Sequence, residues 1–269
     1  QLKVLLLQMF TAYRGKDRIR PNLILSVPIE QYNDEKITGD IKSSLCSITN
    51  IEDQEGCCLR LKIEPNRARI IPESSGALAH YAFDAVSLNP RKDTSTVGIT
   101  AVVDIGYLTT NVSLYEGTTY VKDSSFTISR GGFGTVVKDI QEKVKVNGRQ
   151  IEISRLDRAL KKVAGIPPKK EKKIDIGGGA KIVVTQYYDN GLEALVNLIY
   201  DGLLNGIGTV INRVLISGGG EYHAGNHLKA MMPDGFEVAI CPDPELANAI
   251  GGYTILRQQA AKAGKFVEE

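Results

Sequence analysis

The sequence predicts an α/β fold of two domains, each a mixed sheet flanked by helices. Three observations predict it. Strand-type and helix-type segments alternate along 269 residues, a length that suits two domains or one large α/β unit. An apolar run at 97–103, of the kind buried on both faces of a sheet, ends in Asp104-Ile105-Gly106-Tyr107-Leu108-Thr109. A second apolar run, 213–217, empties into Gly218-Gly219-Gly220 and then a helical pattern.

Taken in order, residues 2–13 place Leu2, Leu5, Leu6, Met9 and Phe10 on one helical face. A charged loop at 14–20 leads through Pro21 to a short buried-type strand at 23–28. Residues 29–41 read as a surface helix, 59–63 alternate as a strand, and 68–71 form another. Pro72-Glu73-Ser74-Ser75-Gly76 starts a helix that ends near Phe83. The polar stretch 89–96 is the first domain boundary. After the strand at 97–103, segments 112–115 and 119–128 continue as a meander about Glu116-Gly117. Arg130-Gly131-Gly132-Phe133-Gly134 leads into a helix at 135–144, and 153–163 is a further helix. The Pro- and Lys-rich stretch 167–173 is a loop, 174–187 a hairpin pair, and 192–211 a long helix. The strand at 213–217 and its Gly turn open a helix to Met231; 236–241 is a strand and 244–263 the last helix. No internal repeat or low-complexity tract interrupts this order.

Composition excludes several classes. Hydrophobic residues at 42% and charged ones at 24% are globular values, and 27 Gly imply many turns. A net charge of +2 gives no argument for general nucleic-acid binding. Four Cys, with Cys57 and Cys58 adjacent, do not form a disulfide framework and suit a reduced, cytoplasmic setting. No apolar run approaches a membrane span, and residues 1–10 run into an amphipathic pattern rather than a signal-peptide cleavage site.

Two turns carry the chemistry. The Asp104 segment reads as strand, tight turn, strand, with a carboxylate and several free N–H groups at the turn. Such a turn cradles phosphate with backbone donors while the Asp holds the water shell of a metal; the same spelling also describes a plain hairpin with a solvated Asp. The Gly218–Gly220 turn lets a sugar and base approach the backbone closely. Both turns sit at the C-terminal ends of buried strands, the edge where α/β sheets bind ligands. Other strings read as structural. Asp175-Ile176-Gly177-Gly178-Gly179 follows lysines instead of a buried strand and reads as a hairpin. His223 and His227, with Glu221 nearby, have no third ligand and read as a helix surface. Asn111-Val112-Ser113 is a glycosylation sequon in spelling only, Cys57-Cys58 a packed or loop pair, and the lysines around Lys169 a solvated loop.

In the order of these motifs the chain resembles the actin-like ATPase superfamily, which includes actin, seventy-kilodalton heat-shock chaperones and sugar kinases. Asp104, Gly106 and Thr109 match its second phosphate hairpin. Residues 71–77 resemble the first connecting helix, 214–220 the adenosine segment and 242–252 the second connecting helix. The Leu- and Gln-rich opening, Leu23-Ile24-Leu25-Ser26-Val27-Pro28 and the short Pro-Lys loop are most similar to ParM-type plasmid-segregation actins and their archaeal cousins. The resemblance implies two ribonuclease-H-like (actin-fold) domains with an interdomain nucleotide cleft. Domain I takes 1–95 plus 245–269; domain II takes 96–244, with an outer subdomain at about 130–209.

The cofactors implied are ATP or ADP and Mg²⁺. Asp104 would hold the hydrated metal. Gly106, Tyr107, Leu108 and Thr109 would clamp the β- and γ-phosphates, and Gly218, Gly219, Gly220 and Glu221 would line the adenosine pocket. Glu73 would orient the attacking water, although a helix N-terminal carboxylate favoured by the dipole reads the same way. Arg130 to Gly134 either closes over the ribose or is a plain loop-to-helix turn. The family also carries a first phosphate hairpin, another Asp-x-Gly, some tens of residues before Leu23. Nothing before Arg14 resembles it. The expectation is therefore an incomplete first domain, one metal carboxylate short, with weakened ATP binding and impaired hydrolysis.

The implied function is an ATPase that polymerises with ATP and segregates DNA or positions another cargo. Its expected partners are other copies of itself and an adaptor, with no direct nucleic-acid binding. The alternatives are a non-polymerising scaffold of the FtsA or PilM kind, and a small-molecule kinase of the same fold.

Overall fold

The computed structural model describes residues 18–19, 21–46, 48–52, 58–92, 94–146, 148–177, 181–207 and 211–262, with backbone alone along 18–19, 48–52 and 58–61. The helix expected at 2–13, most of the loop at 14–20, the side chains of Cys57-Cys58 and the Gly178-Gly179 pair lie outside these residues.

The first described elements are β1 (Arg18–Ile19) and β2 (Leu23–Val27), followed by α1 (Ile29–Asn33), α2 (Glu35–Leu45), β3 (Ile48–Glu52), β4 (Cys58–Lys62), β5 (Ala68–Pro72) and α3 (Glu73–Ala82). β6 (Ile99–Ile105), β7 (Thr109–Glu116) and β8 (Thr119–Ser129) form a meander, and α4 (Gly134–Lys143) follows. An outer lobe holds β9 (Lys145–Val146), β10 (Arg149–Gln150), α5 (Ile153–Lys161), β11 (Lys173–Asp175) and β12 (Lys181–Val183). The chain then runs through α6 (Thr185–Gly206), β13 (Arg213–Ser217), α7 (Glu221–Met231), β14 (Glu237–Ile240) and α8 (Ala247–Lys262).

The main sheet has the order β14-β13-β6-β7-β8. β13 runs parallel to both β14 and β6, whereas β6, β7 and β8 alternate in direction. Alternate side chains of β6 serve two cores, which is why its run is apolar throughout. Ala101, Val103 and Ile105 pack with Val136, Val137, Ile140, Leu195 and Ile199 on one side of the sheet. Val102 packs with Ala77, Leu78, Tyr115 and Leu215 on the other. Helices therefore cover both faces, as expected of an α/β chain.

β2 and β5 form a separate parallel pair, with Leu23 opposite Ala68 and Val27 opposite Pro72. β5 feeds α3 directly, and α8 crosses α3 at unusually close range. A Cβ on Gly76 would overlap the Asn248 backbone, and one on Gly251 would overlap the carbonyl of Gly76.

Four expectations change. The helix at 29–41 is two helices, because Asp34 is extended and caps the second by accepting from the N–H groups of Lys36 (2.9 Å) and Ile37 (3.0 Å). The strand of the second hairpin stops at Val183, and the long helix starts at Thr185 rather than Leu192. Val184 N–H donates to the Lys172 carbonyl and Lys172 N–H donates to Thr185 Oγ1, which closes the hairpin before Tyr187. β3 is an addition; its Thr, Asn and Glu leave no apolar alternation to read, and it forms by pairing antiparallel with β4. Finally, the Pro-Lys loop is not simply solvated. Lys172 is 1% exposed, its Nζ 2.8 Å from Asp189 Oδ1 and 2.9 Å from the Pro167 carbonyl it donates to. A buried lysine needs such partners. They fasten the loop to α6.

Candidate functional site

The parallel pairing of β6 and β13 brings the two predicted turns together. Ser217 sits opposite Asp104, so both strands end at the same edge of the sheet. The Gly turn is then folded onto the Asp104 hairpin, with Gly220 N–H donating to the Ile105 carbonyl at 2.8 Å. Gly218 has φ +90, and a Cβ there would overlap Asp104 Oδ1 and the Ile105 carbonyl. Gly220 is crowded by Ile105 in the same way, whereas a Cβ on Gly219 would meet nothing nearer than Glu245 Cγ at 3.8 Å. Gly218 and Gly220 thus serve close backbone approach. Gly219 is the residue that opens onto free space.

The difference is testable. Gly218→Ala is expected to destabilise the protein by about 2–3 kcal/mol through strain and overlap. Gly219→Ala is expected to leave the melting temperature within ~2 °C, since surface changes of this kind stay near ±0.5 kcal/mol. Thermal melts of the two variants side by side check it; equal losses would contradict the assignment.

Asp104 is 7% exposed. Its Oδ2 accepts from Asn248 Nδ2 at 2.6 Å, and the Asn248 Oδ1 accepts from Ala77 N–H at 3.1 Å. Asn248 therefore ties α3 and α8 to the end of β6. Burial raises the Asp104 pKa, with the Asn248 bond opposing in part. Among the described residues Oδ1 receives no hydrogen bond.

Glu73 stands at the first position of α3, and its Oε2 accepts from Asn111 Nδ2 at 3.2 Å. Asn111 lies opposite Asp104 across β6 and β7, and its Oδ1 accepts from Thr127. Burial, and after it the charge of Asp104, raise the Glu73 pKa. The two carboxylates thus share one electrostatic neighbourhood. Asn111 is buried, which rules out the sequon as a glycosylation site.

The tip of the hairpin is partly committed. Gly106 N–H donates to the Thr109 carbonyl within the turn, at 2.9 Å. Among the described residues, the N–H groups of Tyr107, Leu108 and Gly219 have no protein acceptor. Leu108 is 73% exposed. Unspent N–H groups on a hairpin tip and on the adjoining Gly turn, beside a buried carboxylate, suit an anion beside a cation. The residues present therefore fit a magnesium nucleotide.

Residues 130–134 buttress the hairpin from behind. Phe133 N–H donates to the Gly106 carbonyl at 3.1 Å and Gly134 N–H to the Tyr107 carbonyl at 2.7 Å. A Cβ on Gly132 would overlap the Tyr107 backbone. Contact with the Asp104 hairpin thus accounts for Gly132 and Gly134. The same turn contributes Phe133, whose ring stacks on His223 at 3.6 Å, while His223 Nδ1 lies 2.7 Å from the Tyr188 hydroxyl. His223 is a core residue rather than part of a helix surface. Burial, followed by the charge of Lys161, holds its pKa down to about 4. No group of three metal-ligating side chains occurs among the described residues.

Four contributors were missed by sequence reasoning. Asn248 and Asn111 carried no assigned role; Lys161 and Glu245 meet at 2.9 Å beside Gly219, with Lys161 Nζ 6.0 Å from the Tyr222 ring. Lys161 and Glu245 are 84 positions apart, and no local signal links them. Glu221 is buried at the first position of α7, and burial raises its pKa.

This fold is the actin-like fold. The archaeal actin homolog Ta0583 in complex with ADP superposes with a TM-score of 0.68 at 17% identity, over 94% of this chain and 76% of that one. ParM in a 15-stranded filament from Clostridium botulinum gives 0.68 at 19% identity, over 95% and 73%. Bacillus thuringiensis ParM with ATP gives 0.67 at 16% identity, over 98% and 73%. No protein-family model and no curated protein matches the sequence. No helix among the described residues is long and apolar enough to cross a membrane.

Proposed function

We propose that this chain is an actin-like ATPase that binds ATP with Mg²⁺ between two domains and self-associates into filaments. The domains are residues 1–95 plus 245–269, and 96–244. The observation that carries the reading is the convergence of Asp104, Glu73 and the Gly218–Gly220 turn at one edge of the sheet, each held by a different element. Solved relatives with this fold hold ADP or ATP, and one is a ParM filament.

In this reading Asp104 holds the hydrated metal. Bound Mg²⁺ would supply charge neutralisation at the β- and γ-phosphates. Tyr107 and Leu108 N–H groups, with Thr109 Oγ1, clamp the phosphates, and Gly219 faces the nucleoside. Glu73, steadied by Asn111, accepts a hydrogen bond from the attacking water and orients it. Positioning of this kind supplies most of the catalysis in phosphoryl transfer. Filaments would arise by a heterologous contact that does not close, and an adaptor would join them to DNA or other cargo.

Light scattering and pelleting of the full-length protein, with and without ATP and Mg²⁺, test this directly. Assembly that requires ATP supports the reading, and its absence at tens of micromolar protein sinks the filament part. Glu73→Gln is expected to lower hydrolysis by roughly 10²-fold or more, with ATP affinity changed less than threefold. Equal loss of both would remove Glu73 from the water-positioning role.

A further inference from the structure

The net charge of +2 conceals an uneven distribution. Residues 144–184 carry 11 Lys and Arg against four Asp and Glu, a net +7, so the rest of the chain is net −5. This stretch is the outer lobe of β9, β10, α5, β11 and β12. Three of its cations are engaged: Lys161 with Glu245, Lys172 with Asp189 and Lys173 with Glu171. The other eight have no ion-pair partner among the described residues, and all eight are exposed.

The fold arranges several of them on one surface. Leu156, Ala159 and Leu160 of α5 are buried, which turns Arg155, Arg158 and Lys162 outward at a spacing of three and four residues, on a single helical stripe. That stripe is about 10 Å long. The Arg155 guanidinium lies directly over Gly177, at the end of β11, which joins the stripe to the hairpin bearing Lys181. Lys169 and Lys170 stand on the loop that buried Lys172 fastens to α6. This loop is anchored, so the backbone that carries them is held in place.

The surface is poor in apolar anchors. Its exposed large hydrophobic residues are Ile153 at 38% and Val183 at 49%. A protein partner wants an apolar centre in its contact, and a membrane-surface element inserts apolar side chains. A nucleic-acid backbone is held by charge alone. Duplex DNA presents one phosphate per ~1.7 Å of axis, so a stripe of this length runs past about six.

We propose that the outer lobe is a sequence-independent docking surface for duplex DNA, with Arg155, Arg158 and Lys162 at its centre. This departs from the expectation, drawn from net charge, that the chain makes no direct contact with nucleic acid. It does not rest on the ATPase reading, because the contact needs no nucleotide and would survive the failure of that reading.

Fluorescence anisotropy of a 20-bp duplex of arbitrary sequence, titrated with the nucleotide-free full-length protein between 50 and 200 mM salt, is the test. For about four phosphate contacts the affinity is expected to fall roughly 10²-fold over that range. A triple variant, Arg155→Glu, Arg158→Glu and Lys162→Glu, is expected to bind at least ~10-fold more weakly at 50 mM salt. It should also flatten the log–log salt slope by about 3. A circular-dichroism melt matching the parent shows that the variant is folded; if it melts early, the Lys169→Gln and Lys170→Gln double variant, with its smaller flattening of about 2, takes its place. Absence of binding at 50 mM salt overturns the proposal. So does unchanged binding in a folded variant, or equal competition by poly-glutamate or anionic vesicles at matched charge.

Discussion

Asp104→Asn is expected to abolish Mg²⁺-dependent nucleotide binding, weakening ATP affinity by 10²-fold or more, while making the nucleotide-free protein more heat-stable. The two effects share one cause. The carboxylate is buried at the end of β6, with a single side-chain donor on Oδ2 from Asn248 and none among the described residues on Oδ1. Ionising it there is unfavourable, which is why burial raises its pKa. The sign follows from linkage. The unfolded chain releases this proton near pH 4 and the folded chain at higher pH. Stability associated with protonated Asp104 is therefore present in acid and lost as pH rises from about 4 through the raised folded value. Asparagine keeps the shape and an acceptor for Asn248, and it removes the charge. A gain of about 1 kcal/mol, or ~2–4 °C in melting temperature, is expected at pH 7. It should shrink toward pH 4. Calorimetric binding of ATP with Mg²⁺, alongside melts at pH 4.5 and pH 7, checks both halves. Unchanged affinity, or a lower melting temperature at pH 7, would contradict the role given to this residue.

Gly251→Ala is expected to cost about 3 kcal/mol, lowering the melting temperature by ~6–12 °C. Its Cβ would fall on the carbonyl, carbonyl carbon and Cα of Gly76, all backbone atoms of α3. No side chain can rotate away to accommodate the methyl group, so the two helices must separate. Their separation carries Asn248 away from Asp104 and Ala77, and it shifts Glu73 at the head of α3. Nucleotide affinity should fall together with stability. Gly39→Ala supplies the contrast, because Gly39 lies inside α2 with nothing within 4 Å of its added Cβ. There the better helix propensity of Ala is expected to stabilise by ~0.5–1 kcal/mol. A Gly251→Ala melt within 2 °C of the parent would show that the α3–α8 crossing tolerates more space than its geometry suggests.

Much of the site is legible in the amino-acid sequence alone. The Asp104 hairpin can be read because apolar alternation, a Gly-containing turn and a second strand are local features, each set by residues within a few positions of one another. The Gly218–Gly220 turn is legible for the same reason, although its three glycines have different duties. Gly218 and Gly220 are pressed against Ile105 and Asp104, and Gly219 is not. No spacing rule separates them. Residues 130–134 show the limit more plainly. Their glycines suggest either a lid over the ribose or a plain turn, and nothing local shows that Gly132 and Gly134 let the backbone of Tyr107 come close.

The α/β class, most of the strands and helices, and a carboxylate and a Gly-rich turn at strand ends can all be read from the amino acids in order. These depend on side-chain period and on backbone constraints that act over a few residues. Folding in three dimensions sets Ser217 opposite Asp104, brings Asn248 and Asn111 to steady the two carboxylates, and buries Lys172 while eight other cations of its lobe are exposed. Those facts depend on which distant strand ends and helix faces meet. Net charge is a sum over the whole chain, so it carries no trace of where folding places the charges.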